Sequence, residues 1–217
     1  MQTFWKQILS GKSPVRAAMN IMLADTGEWG GRILDVGGIS DPLPSYRDFF
    51  RLAEGADIVT VNIDPSAKPT IVADAAAMPV ADASFDNAWC LNLLEHVYTP
   101  DAVLRESFRV LKPGGRFVAF TPFLVRVHGH PQDFFRYTDT ALRDMCVRAG
   151  FVDVETRHAH GSPFMAAASQ VQPVLPRVLF VPLAALAFAL DRIVGRFRPW
   201  TRSAWPLGFL VTCRKSS

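Results

Sequence analysis

Three carboxylates and a pair of glycines in the first part of the chain have the types and order needed to hold a nucleoside-bearing ligand. The run from Ile33 to Ser40 reads ILDVGGIS, an apolar strand that stops at Asp35-x-Gly37-Gly38. Glycine lets a backbone turn tightly and approach a ligand, because no Cβ intervenes. A second apolar run, IVTVNID, closes at Asp64, and a third segment, IVADAAAMP, opens a turn at Asp74. A carboxylate ending the strand after the glycine turn is placed to accept charge-assisted hydrogen bonds from two vicinal ribose hydroxyls. The pair Asp64-Pro65 also starts turns for purely local reasons. Further on, His96 follows Glu95, and His128 and His130 flank Gly129 in a Gly/Pro loop. Imidazoles suit proton transfer near neutral pH. Two histidines with Asp133 also suggest metal chemistry, but such a loop supplies no fixed third ligand, so no metal is expected.

The elements that must position these groups alternate. Strands are expected at Arg32–Val36, Ile58–Ile63, Thr70–Val72, Phe85–Leu91, Arg116–Phe120, Val152–Thr156 and Phe209–Cys213. Helices are expected at Tyr46–Glu54, Pro100–Leu111 and Thr140–Ala149, with Thr138 or Asp139 as N-cap of the last. One or two short helices precede them in the first thirty residues. Lys112-Pro113-Gly114-Gly115 is a strong turn signal. Alternating strands and helices imply a doubly wound α/β sheet, and ligands of such sheets bind beyond the carboxyl ends of the strands. Gly37, Asp64, Asp74 and Asn92 all fall there.

At 217 residues the chain suits a single domain. It divides into N-terminal helices (1–30), a ligand-binding core (31–160), an apolar and basic insertion (161–205) and a terminal strand (206–217). The three cysteines are far apart and match no metal or disulfide spacing, which points to a reducing, cytoplasmic setting. Residues 173–217 hold seven Lys/Arg against Asp191 alone, and the rest of the chain is net acidic. Nucleic acid is not expected, because the basic residues keep apolar company. Val178 to Leu190 is an apolar run interrupted by Pro182. As a helix of thirteen residues it is roughly 20 Å long, too short for the ~30 Å hydrocarbon core. With Arg192, Arg196, Trp200 and Trp205 following, it reads as an interfacial segment at the inner face of a membrane. The alternative is a helical hairpin packed on the sheet or on a second copy, as a homodimer.

The stretches ILDVGG, VNID, VADAAAMPVADASFD, NLLEHVYTPDAVLRESFRVLKPGGRFVAFTP and HGHPQDFFRYTDTALRDMCVRAGF resemble successive motifs of the class I S-adenosylmethionine-dependent methyltransferases. The "type 11" small-molecule group is the nearest match. The resemblance implies a Rossmann-like, seven-stranded sheet in the order 3-2-1-4-5-7-6 with the last strand antiparallel. The basic apolar segment then lies as a helical insertion before that strand. It also implies S-adenosylmethionine as methyl donor and a small-molecule or lipid-linked acceptor.

Carried over residue by residue, the resemblance assigns cofactor binding to Asp35, Gly37, Gly38, Asp64, Asp74, Ala75 and Asn92. Asp64 takes the ribose, Asp74 with Ala75 the adenine, and Asn92 the methionine part. His96, His128 and His130 are the candidate bases, with His96 alternatively holding Glu95 or a backbone carbonyl. Asp133, Arg136 and Tyr137 belong to a shared stretch beside the acceptor, where they bind substrate or brace the loop. The family's Asp/Glu-x-Gly-x-Gly-x-Gly becomes Asp35-Val36-Gly37-Gly38-Ile39-Ser40-Asp41, so Ile39 and Asp41 replace two glycines. Gly38 is expected to take the turn one position early. A nicotinamide oxidoreductase needs Gly-x-Gly-x-x-Gly here and does not find it. The remaining alternative is a non-catalytic protein of this fold that binds a membrane surface or a protein partner.

Overall fold

The computed structural model describes residues 2–40, 47–129, 132–159 and 161–217. Two helices lead the chain, α1 (Gln2–Leu9) and α2 (Pro14–Ala24). Ser13 starts α2 by accepting from the Arg16 N–H at 3.2 Å, and Pro14 occupies the first turn, where its missing N–H costs nothing. Then come β1 (Arg32–Val36), α3 (Arg47–Phe50), β2 (Asp57–Asn62), β3 (Ile71–Val72), β4 (Phe85–Leu91), α4 (Pro100–Val110) and β5 (Leu111–Pro122). The chain ends with α5 (Asp139–Arg148), β6 (Phe151–Ala159), α6 (Pro163–Val171), α7 (Arg177–Phe197) and β7 (Gly208–Lys215).

The sheet order is β3-β2-β1-β4-β5-β7-β6, with β7 antiparallel to both neighbours and every other pair parallel. This is the expected topology. Strand alternation divides the core in two. Leu34, Val36, Phe85, Phe117 and Val211 face α4 and α5, while Ile33, Trp89, Val118, Phe120 and Leu210 face the other layer. There Trp89 packs against Phe49 with ring centroids 4.5 Å apart, and Trp29 closes edge-on at 5.9 Å.

Several expected boundaries move. The helix expected to end at Glu54 is α3 followed by a 3-10 turn, Arg51–Ala53. Lys112–Gly115 lies inside β5, where pairing with β4 is irregular and Gly114 adopts φ +76°. The turn signal was thus answered by a kink within a strand. Thr138, not Asp139, caps α5, accepting from the Ala141 N–H at 3.3 Å.

The largest difference is α7. The thirteen-residue apolar run and the basic residues after it form one 21-residue helix, so the element is long and apolar enough to cross a membrane where the run by itself falls short. Only 28% of its most apolar window is buried. One side packs Phe180, Ala184 and Ala187 against Ile8, Ala17, Met165 and Ala168 of α1, α2 and α6. Asp191 ties α7 to α6 by accepting from the Phe164 and Met165 N–H groups at 3.0 and 2.9 Å. The solvent side keeps Val178, Leu186, Ile193 and Phe197 exposed, at spacings of about two, two and one helical turns.

Arg109 on α4 secures the segment that follows β3. Its guanidinium donates to Glu106, to Asp82 and to the carbonyls of Met78 and Val80, and Glu106 accepts the Met78 N–H. Removal takes the guanidinium donors from Glu106, Met78 O and Val80 O, leaving Glu106 with the Met78 N–H and Met78 O with the Val80 N–H. We expect Arg109→Ala to cost roughly 2–3 kcal/mol, or about 5–10 °C in Tm. A melting curve unchanged from wild type would show that this network contributes nothing.

Candidate active site

The glycine turn sits at the carboxyl end of β1. Gly37 adopts φ +82°, and its N–H donates to Val61 O at 2.7 Å, tying the turn to β2. A Cβ on Gly37 would lie 2.9 Å from Leu93 Cδ1. One on Gly38 would lie 2.3 Å from Asp35 Oδ2. Both positions therefore demand glycine, and Gly38 completes the turn one residue early, its N–H returning to Asp35 O at 3.2 Å. Ile39 is half-buried. Ser40 then fastens the loop to the β2–β3 connection, its hydroxyl donating to Lys68 O.

Asp35 lies beneath this turn, 7% exposed, and burial pushes its carboxyl up to about 7. A cationic ligand group arriving above Gly38 would restore the carboxylate. Asp64, two residues past β2, is exposed and accepts from the Ser66 N–H at 2.8 Å and the Ser66 hydroxyl at 2.7 Å. Those bonds hold its pKa below the usual carboxylate value. Each oxygen retains a second acceptor position. The residue connecting Asp64 to the glycine turn is Asn62. Its amide donates to Gly37 O and Gly38 O at 3.1 and 3.2 Å, and its oxygen accepts the Asp64 N–H at 3.0 Å. Nothing in the strand pattern singled it out. Asp74 is exposed and closes a turn onto the Ala76 N–H at 2.9 Å, with Ala75 buried beside it. Asn92 stands in the left-handed region at the end of β4, φ +54°, its amide 3.5 Å from Met19 Sδ.

A cavity of about 380 Å³ opens beside Asn92, between the ends of β4 and β5, α2 and α6. Asn92, His96 and His128 line it with Ser13, Arg16, Arg126 and Gln170, and an apolar wall comes from Met19, Phe120 and Leu124. Among the described residues lining it there are two arginines and no carboxylate. Arg16 and Gln170 belong to helices outside the recognisable motifs, so the sequence carried no signal for them.

His96 lies on a 3-10 turn, Leu94–His96, with Nδ1 2.6 Å from Gln132 O and Nε2 3.7 Å from Glu95 Oε1. His128 places Nδ1 3.2 Å from Arg126 O and 3.4 Å from Asp133, and its ring meets His96 edge-on at 5.0 Å between centroids. Desolvation lowers the His128 pKa, so its imidazole is neutral at pH 7 and able to accept a proton. His130, the third candidate, lies outside the described residues, as do Asp41 and His160.

Asp133 and Arg136 spend their polar groups on each other and on the loop. Arg136 grips Asp133 through both terminal nitrogens, and Asp133 also accepts the His128 N–H at 2.8 Å. The guanidinium holds the Asp133 carboxyl far below the usual range. Tyr137 is buried and donates to Leu94 O at 3.0 Å, away from the cavity lining. Of the three residues expected beside the substrate, none lines the cavity; they fix the loop and turn that carry His128 and His96. His158, on β6, bonds Asp139 at 3.0 Å.

A family model described as "Methyltransferase domain" matches residues 45–119. Methyltransferase GfsG of Streptomyces halstedii is 46% identical over 55 residues, 25% of this chain and 19% of that protein. The 27-O-demethylrifamycin SV methyltransferase of Amycolatopsis mediterranei is 32% identical over 136 residues, 54% of this chain and 43% of its own length. The chain thus spans less than half of either relative. In fold, a SAM-dependent methyltransferase from Archaeoglobus fulgidus superposes with a TM-score of 0.58 at 15% identity, covering 92% of this chain and 94% of that one.

Proposed function

We propose that this chain, which carries a class I S-adenosylmethionine-dependent methyltransferase domain, moves the methyl group of S-adenosylmethionine to a small, anionic acceptor. The observation that carries the reading is the closed Asp35–Gly38 turn at the end of β1, together with a cavity at the ends of β4 and β5 lined by Asn92, His96 and His128. Asp35 would meet the methionine ammonium, Asp64 the ribose hydroxyls through its free acceptor positions, and Asp74 with Ala75 the adenine. Asn92, just past β4, lines the cavity. Arg16 and Arg126 favour an acceptor bearing negative charge. The relative named for 27-O-demethylrifamycin SV supports a small-molecule acceptor.

The sulfonium already activates the methyl carbon, so no covalent enzyme intermediate is required. The chain must hold donor and acceptor in line, exclude water and, for a hydroxyl acceptor, receive its proton. Neutral His128 suits the last task, with His96 and His130 as the other bases. Asp133, Arg136 and Tyr137 act as positioning residues. Isothermal titration with S-adenosylhomocysteine tests the reading: binding that Asp64→Ala weakens at least tenfold is expected. A folded chain that takes up no S-adenosylhomocysteine would instead be the non-catalytic protein.

The acceptor class extends to lipid-linked molecules, and the supporting feature is the uncovered stripe of α7. Val178, Leu186, Ile193 and Phe197 are exposed beside Arg192 and Arg196, an arrangement suited to an anionic bilayer surface at the cytoplasmic face. We expect flotation with phosphatidylglycerol vesicles but not with phosphatidylcholine vesicles, and loss of flotation in Leu186→Glu/Phe197→Glu. A concentration-dependent dimer that the same double variant dissociates, with no vesicle binding, would replace the membrane by a second copy.

A further inference from the structure

Glu95 is fully buried, and neither carboxylate oxygen has a hydrogen-bond partner. Leaving a buried carboxylate unsatisfied is among the costliest arrangements a fold can retain. Around it stand two imidazoles. One candidate ligand atom from each of Glu95, His96 and His128 lies within 4.8 Å of the other two. The histidines are prepared in the way metal ligands are. His96 Nδ1 is engaged by Gln132 O at 2.6 Å, and His128 Nδ1 by Arg126 O at 3.2 Å. A carbonyl partner fixes the N–H on Nδ1 and leaves the Nε2 lone pair as the donor, the hydrogen bonding usual for ligating histidines. Asp133 and Arg136 hold the loop that presents His128.

From this geometry we propose that Glu95, His96 and His128 bind one divalent transition-metal ion at the wall of the acceptor cavity. Two imidazole nitrogens and one carboxylate oxygen suit zinc, iron(II) or cobalt(II), and they disfavour magnesium and calcium, which take oxygen-rich sites. The sequence could not nominate this site, because Glu95 and His96 come from the β4–α4 connection and only His128 from the histidine loop. His96 and His128 line the cavity, so the remaining coordination positions face an acceptor. That role rests on the methyltransferase reading; the binding itself does not. It also alters the proton account, because a ligating imidazole no longer accepts protons.

Calorimetric titration of chelator-stripped full-length protein with zinc chloride, at pH 7.5 in excess magnesium, tests the proposal. One equivalent is expected, weakened at least tenfold by Glu95→Gln and by His128→Ala and unchanged by His158→Ala. Cobalt(II) substitution should give visible absorption bands that His128→Ala abolishes. Circular dichroism melts confirm that each variant is folded; His128 is a loop residue whose removal leaves the core intact. No zinc uptake by wild type, or equal uptake by wild type, Glu95→Gln and His128→Ala, overturns the site and assigns Glu95 to an ion pair with His96. S-adenosylhomocysteine titration of the same metal-free protein separates the two readings, because its proposed contacts, Asp35, Asp64, Asp74, Ala75 and Asn92, include none of the three metal ligands.

Discussion

Replacing Gly38 by valine weakens S-adenosylhomocysteine binding at least a hundredfold in a chain that still folds. A Cβ at that position meets Asp35 Oδ2 at 2.3 Å and Asp35 Cγ at 2.5 Å. Asp35 is 7% exposed and has no room to retreat. The variant must push either the carboxylate or the turn out of place, and both face the methionine end of the proposed cofactor. A hundredfold loss is about 2.7 kcal/mol, modest for a displaced buried charge. Ile39→Gly, which restores a family glycine, should stay within about threefold of wild type, because the turn is already closed at Gly38. Calorimetry of both variants checks the pair. Wild-type affinity in Gly38→Val would remove the cofactor from this turn.

The second large effect is a pH dependence with an unusual sign. Asp35 and Glu95 are both raised by burial to about 7, from ordinary values of 3.8 and 4.5. Between those limits the native state keeps protons that the unfolded chain has released. Linkage then requires stability to fall as pH rises from about 4 to 7 and to level off above 7. Groups with depressed values, such as Asp86 and Glu106, act in the opposite sense and only below about pH 4.5. For Asp35 the full cost is at most about 4 kcal/mol. Asp35→Asn should therefore be more stable than wild type at pH 8 and little different at pH 4.5. The same variant should bind S-adenosylhomocysteine more weakly, since an amide does not attract an ammonium. Wild-type affinity should rise with pH up to about 7. Urea melts at the two pH values decide the first point; a stability difference independent of pH would sink it.

The sheet was legible because its signals are local and redundant. Ile33–Val36 and Phe85–Leu91 are short apolar runs bounded by breakers, and the resemblance supplied their order. The site was legible only in part. Asp35, Gly37 and Gly38 lie in one motif, and the turn occurs where glycine spacing puts it. Asp133, Arg136 and Tyr137 were expected beside substrate because a motif marks importance without separating contact from support. In the structure their polar atoms are consumed by the loop itself. Asn62 and Glu95 were passed over for the opposite reason. An asparagine in a strand and a glutamate beside a histidine have no pattern, and their significance comes from partners brought near by the chain's crossings. The apolar run of α7 was legible, but not the role of Asp191 within the helix: it caps α6, an interaction no local window contains.

The position of β7 governs when the molecule can be completed. Among the described residues β6 pairs in the sheet with β7 alone, and β7 lies between it and β5. During synthesis the parallel block from β1 to β5 can assemble as it leaves the ribosome. β6 must then wait, unpaired, while the residues through α7 emerge. The uncovered apolar stripe therefore meets the cell's interior before the sheet is closed. A nascent chain stalled in that interval presents an open strand edge together with that stripe, the form most exposed to aggregation or chaperone capture.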